Sequence, residues 1–217
     1  MKHSESPSRG PSLRRRDFIK AAAGTTAAMT VLKADAATPQ AQPQPLQPWW
    51  AARPSSATAN RPVAIDLHAH WVPARYAKAM AELGQPIRNI YPLEADIEPR
   101  VKWMDEHGVQ MHLLTLSGGM PWQVVTAGEG ALLARAVNDA GVEAHAAYPD
   151  RFVAAIELPI RDAELALKEL DRVAGKPGLR AVHLPDSIEN RDYLFEPEFT
   201  PLLARCEELG YPIVFHN

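Results

Sequence analysis

The chain has 217 residues, with 26 Asp and Glu against 23 Lys and Arg, a formal charge of -3 and 46% hydrophobic residues. That balance excludes a basic field for nucleic acid or an anionic membrane, and no apolar run reaches the length of a spanning helix. The single cysteine, Cys206, excludes an intramolecular disulfide and falls on the apolar stripe of a predicted helix as core filler.

Residues 1–36 read as a leader. The run Arg14-Arg15-Arg16-Asp17-Phe18-Ile19-Lys20 resembles the twin-arginine export motif, with Arg15 and Arg16 as the pair. A mildly apolar segment from Ala21 to Leu32 follows, then Ala34-Asp35-Ala36 as a small-x-small cleavage site. A twin-arginine signal peptide over 1–36 predicts a bacterial, periplasmic protein, free of the membrane once the leader is cleaved. Residues 37–62 are rich in Pro, Gln, Ala and Ser and predict an extended linker, in which Trp49-Trp50 is available to pack on the domain.

The first apolar run, Val63 to Leu67, ends in His68-Ala69-His70. Side chains on a strand alternate faces, so His68 and His70 share a side, expected together with Ala64 and Asp66, while Val63, Ile65 and Leu67 take the other. Two imidazoles at the carboxyl end of a buried strand are half of a metal site. A lone His-x-His is weak evidence, but Tyr211-Pro212-Ile213-Val214-Phe215-His216 is a second apolar strand ending in histidine.

Between these ends runs a rhythm. Further apolar runs lie at Val109 to Leu116, Phe152 to Leu158, and Leu179 to Leu184. Helical stripes separate them: Ile97, Val101 and Met104, closing near Gly108; then Leu133, Ala136, Val137 and Ala140. The next stripe is Ala163, Ala166, Leu167, Leu170, Val173 and Ala174, with Asp162 as N-cap and Gly175 past the end; Phe199, Leu202, Leu203, Cys206 and Leu209 close on Gly210. Alternating strands and helices predict right-handed crossovers and a parallel sheet. No Gly-rich turn follows the first strand, which argues against a doubly wound nucleotide-binding sheet. Histidines at the carboxyl ends of strands, where a TIM (β/α)8 barrel keeps its chemistry, predict that barrel, with this chain covering about strands 1 to 5.

Ile65-Asp66-Leu67-His68-Ala69-His70-Trp71-Val72-Pro73 resembles the opening of the amidohydrolase-related metal-dependent proteins, in the branch of aminocarboxymuconate-semialdehyde decarboxylase. The resemblance runs from residue 63 to the end. It includes Met104-Asp105-Glu106-His107-Gly108-Val109, Tyr148-Pro149-Asp150-Arg151-Phe152 and Glu207-Glu208-Leu209-Gly210-Tyr211-Pro212. It implies that His68, His70 and His216 bind a divalent metal, zinc in most members, and that the protein is a carboxy-lyase acting on a small aromatic or muconate-type carboxylic acid. A metal-dependent hydrolase of a cyclic ester or amide uses the same ligands and stays open. The family's acid/base histidine near strand 6 and aspartate at strand 8 have no counterpart before Asn217, so no catalytic residue is identifiable in this chain. Residues 63–217 are therefore expected to be a C-terminally truncated barrel that exposes strand edges and its apolar inner face; an inactive barrel surviving as a binding or assembly partner is the remaining reading.

The other candidate residues carry one or two readings each. His183, beside Ala181, reads first as a hydrogen-bonded core histidine and second as a group pointing into the barrel near the metal. Glu157 lines the site or is solvated at the rim. His107 and His145 read as surface residues, and His112 as too deep in its strand to reach a metal. Ser117-Gly118-Gly119 reads as a plain turn, with capture of a substrate carboxylate as the alternative. Trp71 and Trp122 either wall an aromatic pocket or pack under loops. The partner expected is a small molecule, and a homo-oligomer is left open.

Overall fold

A computed structural model describes residues 64–216; the predicted leader, linker and Trp49-Trp50 lie outside the described residues. Five strands, β1 (Ala64–Trp71), β2 (Val109–Leu116), β3 (Phe152–Glu157), β4 (Leu179–Pro185) and β5 (Ile213–His216), form one sheet in the order β1-β2-β3-β4-β5. Every neighbouring pair is parallel. Sequential order without reversal is what successive β/α units of a barrel produce, whereas a doubly wound sheet reverses at its switch point.

The helices are α1 (Ala74–Glu82), α2 (Pro92–Ala95), α3 (Ile97–His107), α4 (Ala127–Ala147), α5 (Ala163–Val173) and α6 (Thr200–Leu209). Their ends follow from local chemistry. The Asp162 carboxylate accepts the Leu165 N–H at 2.9 Å and starts α5, and Thr126 and Glu129 cap α4 reciprocally. Gly210 ends α6 at φ 68°, a conformation that favours glycine. Inside α4, a Cβ on Gly141 would stand 2.8 Å from the Ala154 Cβ, so this glycine lets the helix lie close on β3. Among the described residues no helix is long and apolar enough to cross a membrane.

The main core lies between sheet and helices. It takes Leu114, Leu116, Phe152, Ile156, Leu179 and Val182 from the strands, and Leu133, Val137, Ala166, Leu170, Leu202 and Cys206 from the helices. The opposite face holds a smaller cluster of Leu113, Ala155 and Ala181 with Val153 and Val214. Cys206 is buried filler, as expected. Arg151, of the Tyr-Pro-Asp-Arg-Phe run, clamps the start of β2: its guanidinium donates to the Gln110 and Val109 carbonyls and pairs with Asp105 at 2.7 Å.

Strand β1 departs from strict alternation. Asp66 pairs with His112 and Ala69 with Leu114, so three residues of β1 oppose two of β2, a β-bulge. Paired residues of adjacent strands share a face, which places Asp66 with His112 on the helix side, and Ile65 with Met111 on the inner side. The expectation that Asp66 lies with His68 and that Ile65 faces the helices is thereby reversed. His70 pairs with Thr115 on the inner face. The apolar residues Ile65, Leu67 and Phe215, on the two outermost strands, are about half exposed.

His112 faces the helix layer, edge-on to Phe152 and tilted to Trp103, and neither ring nitrogen has a hydrogen-bond partner. Burial first, and the Arg100 charge second, push its pKa down to about 4. Between the ordinary value of 6.5 and this value the unfolded chain binds a proton that the folded chain rejects. Stability is then full above the ordinary value and falls as pH drops toward 4, by about 3 kcal/mol. The His112→Leu variant should lose this acid-side decline. Urea unfolding midpoints at pH 4.5 and 7.5 check it, and an unchanged pH dependence in the variant counts against the assignment.

Candidate metal centre

His68 and His70 stand near the carboxyl end of β1 and His216 at that of β5, the two outermost strands of the sheet. Strands 4.7–4.9 Å apart would hold β1 and β5 roughly 19 Å from each other in a flat sheet. Yet the Nε2 atoms of His70 and His216 are 3.1 Å apart, as are those of His68 and His70. Only a sheet curled about its inner face brings these side chains together, which is the curvature of a barrel wall. All three residues can place a ligating nitrogen within 4.8 Å of each other.

Hydrogen bonding does not account for the cluster. A ring nitrogen either donates one proton or offers one lone pair, so His70 Nε2 cannot make an ordinary hydrogen bond to both neighbours. Burial, then the neighbouring imidazoles, hold His68 and His70 below the usual imidazole pKa. Both therefore offer lone pairs at neutral pH. Nitrogens 3.1 Å apart around an ion at about 2.0–2.1 Å subtend roughly 95–100°, between octahedral and tetrahedral angles. A divalent metal fits this donor set.

Two residues that the sequence reading did not single out stand behind His70. Its Nδ1 lies 4.0 Å from the Glu94 carboxylate. The Arg100 guanidinium, 5% exposed, donates to the His70 carbonyl and to the Leu93 carbonyl. At 4.0 Å the Glu94 carboxylate acts on the His70 ring through its charge, which favours a more basic imidazole. Glu94 also accepts from the Ser117 hydroxyl at 3.2 Å, tying the loop after β2 to the site.

A cavity of about 340 Å³ opens beside His216 at the carboxyl ends of β2, β3 and β4, large enough for a single-ring ligand. Trp122, Met120, Leu158 and Leu184 supply its apolar walls. Trp71 does not reach it; that side chain is 3% exposed and packs in the main core. Gly118 and Gly119 line the cavity in a turn at φ 73° and 66°. The Ser117 and Gly119 N–H groups are already taken, by the Trp71 and Leu116 carbonyls, which leaves neither for a substrate carboxylate.

Glu157 and His183 also line the cavity, and neither is at a solvated rim: they are 1% and 3% exposed. His183 Nδ1 lies 2.6 Å from Glu157 Oε1, which also accepts the Leu116 N–H. Burial lowers the His183 pKa, but the Glu157 charge and hydrogen bond outweigh it and the net shift is upward. Of the residues read as surface, His107 is exposed and stacked on Trp103. His145 is not: half-buried, it donates from Nδ1 to the Phe152 carbonyl and joins α4 to β3.

The family profile described as Amidohydrolase matches residues 65–217. The chain belongs to the amidohydrolase family. Within it, the chain is 28% identical over 124 residues to the gamma-resorcylate decarboxylase of Rhizobium radiobacter, covering 55% of this chain and 38% of that protein. It is 23% identical over 178 residues to the 2-amino-3-carboxymuconate-6-semialdehyde decarboxylase of Dictyostelium discoideum, covering 72% and 49%. The crystal structure of a dihydroxybenzoic acid decarboxylase from Polaromonas sp. JS666, with bound manganese and the inhibitor 2-nitroresorcinol, superposes with a TM-score of 0.59 at 25% identity, over 72% of this chain and 49% of that one. The chain thus spans less than half the length of these relatives.

Proposed function

We propose that the protein is a metal-dependent carboxy-lyase of the amidohydrolase family, releasing carbon dioxide from a small aromatic or muconate-type carboxylic acid. The observation that carries the reading is the convergence of His68, His70 and His216 at the mouth of a curled parallel sheet, beside a cavity of single-ring size. The named activities of the relatives select decarboxylation from the reactions such a site supports.

His68, His70 and His216 would hold the ion, with Arg100 fixing the His70 backbone and the Glu94 charge beside its ring. The group held there would supply a positive charge for the substrate's oxygens. The apolar walls around Trp122 pack the ring and exclude water, which strengthens every polar contact inside. The relative from Polaromonas carries manganese, but three neutral imidazoles favour zinc over manganese, and zinc is the metal proposed here. Metal analysis of the purified protein, expressed from its complete gene, together with carbon dioxide release from 2,6-dihydroxybenzoate and related acids, tests both points. Hydrolysis of lactones or amides without carbon dioxide release would replace this reading.

We also propose that residues 1–36 direct export by the twin-arginine route and that residues 37–62 tether the barrel domain beginning at 63. The Arg15→Lys, Arg16→Lys double variant should accumulate in the cytoplasm with its leader uncleaved, as fractionation and immunoblotting would show. Processed protein in the periplasm at the usual level would remove the targeting claim.

A further inference from the structure

His183 has one nitrogen accounted for and one not. Nδ1 is fixed on Glu157 Oε1 at 2.6 Å, whereas Nε2 is buried without a partner in the protein. A buried polar atom left unpaired costs roughly 1–3 kcal/mol, so a nitrogen held in this state at a cavity wall points to a group that arrives from the cavity. The hold is rigid. The Glu157 side chain bridges β2 and β4, accepting from Leu116 N–H and meeting His183 in the paired register of β3 and β4. The Glu157 backbone is clamped on both its N–H and its carbonyl by the side-chain amide of Asn138. The His183 ring is edge-on to His216, with centroids 5.5 Å apart, and 6.2 Å from that of His68.

We propose that His183 is a substrate-contacting residue whose Nε2 binds a hydroxyl group carried next to the carboxylate of an aromatic acid. The inference rests on the decarboxylase reading and names the substituent that the site selects. A hydroxyl both donates and accepts, so it satisfies Nε2 whether that atom bears a proton or a lone pair. A second carboxylate suits the cavity poorly: Asp186 and Glu157 line it, and among the described residues no lysine or arginine does. An ion held by His68, His70 and His216 would take the substrate's own carboxylate, and the His183 ring, 5.5 Å from that of His216, stands beside the position of a substituent next to it.

The test compares binding of 2-hydroxybenzoate and benzoate, by calorimetry, to the metal-loaded protein expressed from its complete gene. The wild type is expected to prefer 2-hydroxybenzoate by about five- to tenfold, the effect of one hydrogen bond to a buried group. In His183→Leu the preference should collapse to within about twofold while benzoate affinity holds; His183→Gln, which keeps a polar amide, should retain part of it. A preference undiminished in His183→Leu would assign it to the metal and overturn the proposal, as would a wild type that does not discriminate. Loss of benzoate binding in both variants would show a structural role only and overturns it too. A wild type that binds neither acid removes the decarboxylase reading, and this inference with it.

Discussion

Replacing His70 with alanine should abolish stoichiometric metal binding, lowering affinity by more than about a hundredfold, since loss of an orienting partner alone commonly costs ten- to a hundredfold. His70 is the middle of the cluster: its Nε2 lies 3.1 Å from both other ring nitrogens. Without it, His68 and His216 offer two donors and no third side to the site. The strand itself should survive, because Arg100 holds the backbone carbonyl of residue 70 and not the ring. Folding and ligation therefore separate cleanly. A bound ion stabilises the folded state by mass action, about 2.7 kcal/mol at a free concentration one hundred times Kd. The wild-type melting temperature should rise on adding zinc, and that of His70→Ala should not. His107→Ala, which removes an exposed ring stacked on Trp103, serves as the control and should respond like the wild type. A His70→Ala protein that still titrates one tight metal would refute the three-histidine centre.

What the sequence showed of this site is what local pattern can carry. Apolar runs ending in histidine put His68, His70 and His216 at strand ends, and the alternation of runs and stripes put the strands in one parallel sheet. What it missed is non-local or depends on irregular backbone. The bulge in β1 carries Asp66 to the helix side, and no residue in Val63 to His70 marks where alternation breaks. Helix α1 was missed although Tyr76 and Met80, with Ala77, Ala79 and Leu83 packed beside them, do form an apolar stripe; it is short and largely alanine, so it does not stand out as an apolar run. Glu94 and Arg100 meet His70 across more than twenty residues of chain, with no motif to link them. Glu157 and His183 were each visible and each ambiguous. Only the pairing of β3 with β4 shows that they face each other, and that the core histidine and the site-facing histidine are the same residue. Trp71 and Trp122 looked equivalent after their strands, and packing separated them.

The second large effect falls on stability, at a residue outside the histidine cluster. Asn138, 1% exposed on α4, spends its whole amide: Nδ2 donates to the Glu157 carbonyl at 2.9 Å and to Glu169 Oε1 at 2.8 Å, and Oδ1 accepts the Glu157 N–H at 2.8 Å. It does for the end of β3 what another strand would do, closing the ladder from the helix side. Asn138→Leu keeps the branched shape, with somewhat bulkier methyl groups, and removes all three bonds. The Glu157 N–H and carbonyl are then left in an apolar interior, and Glu169 keeps only Arg172. At roughly 1–3 kcal/mol for each orphaned group, with some relaxation, the loss should be about 3–5 kcal/mol. For a domain of this size that corresponds to a fall of about 6–20 °C in melting temperature. Asn138→Ala should cost less, because the space admits a water that can rejoin the two backbone groups. The consequence reaches the cavity, since Glu157 carries His183: in the alanine variant, preference for the hydroxylated acid should weaken while zinc affinity, set by β1 and β5, stays within a fewfold. Equilibrium unfolding and the same paired titrations measure both. A leucine variant within 1 kcal/mol of the wild type would show that the amide clamp is not what fixes Glu157, and the chain of contacts from α4 to His183 would have to be redrawn.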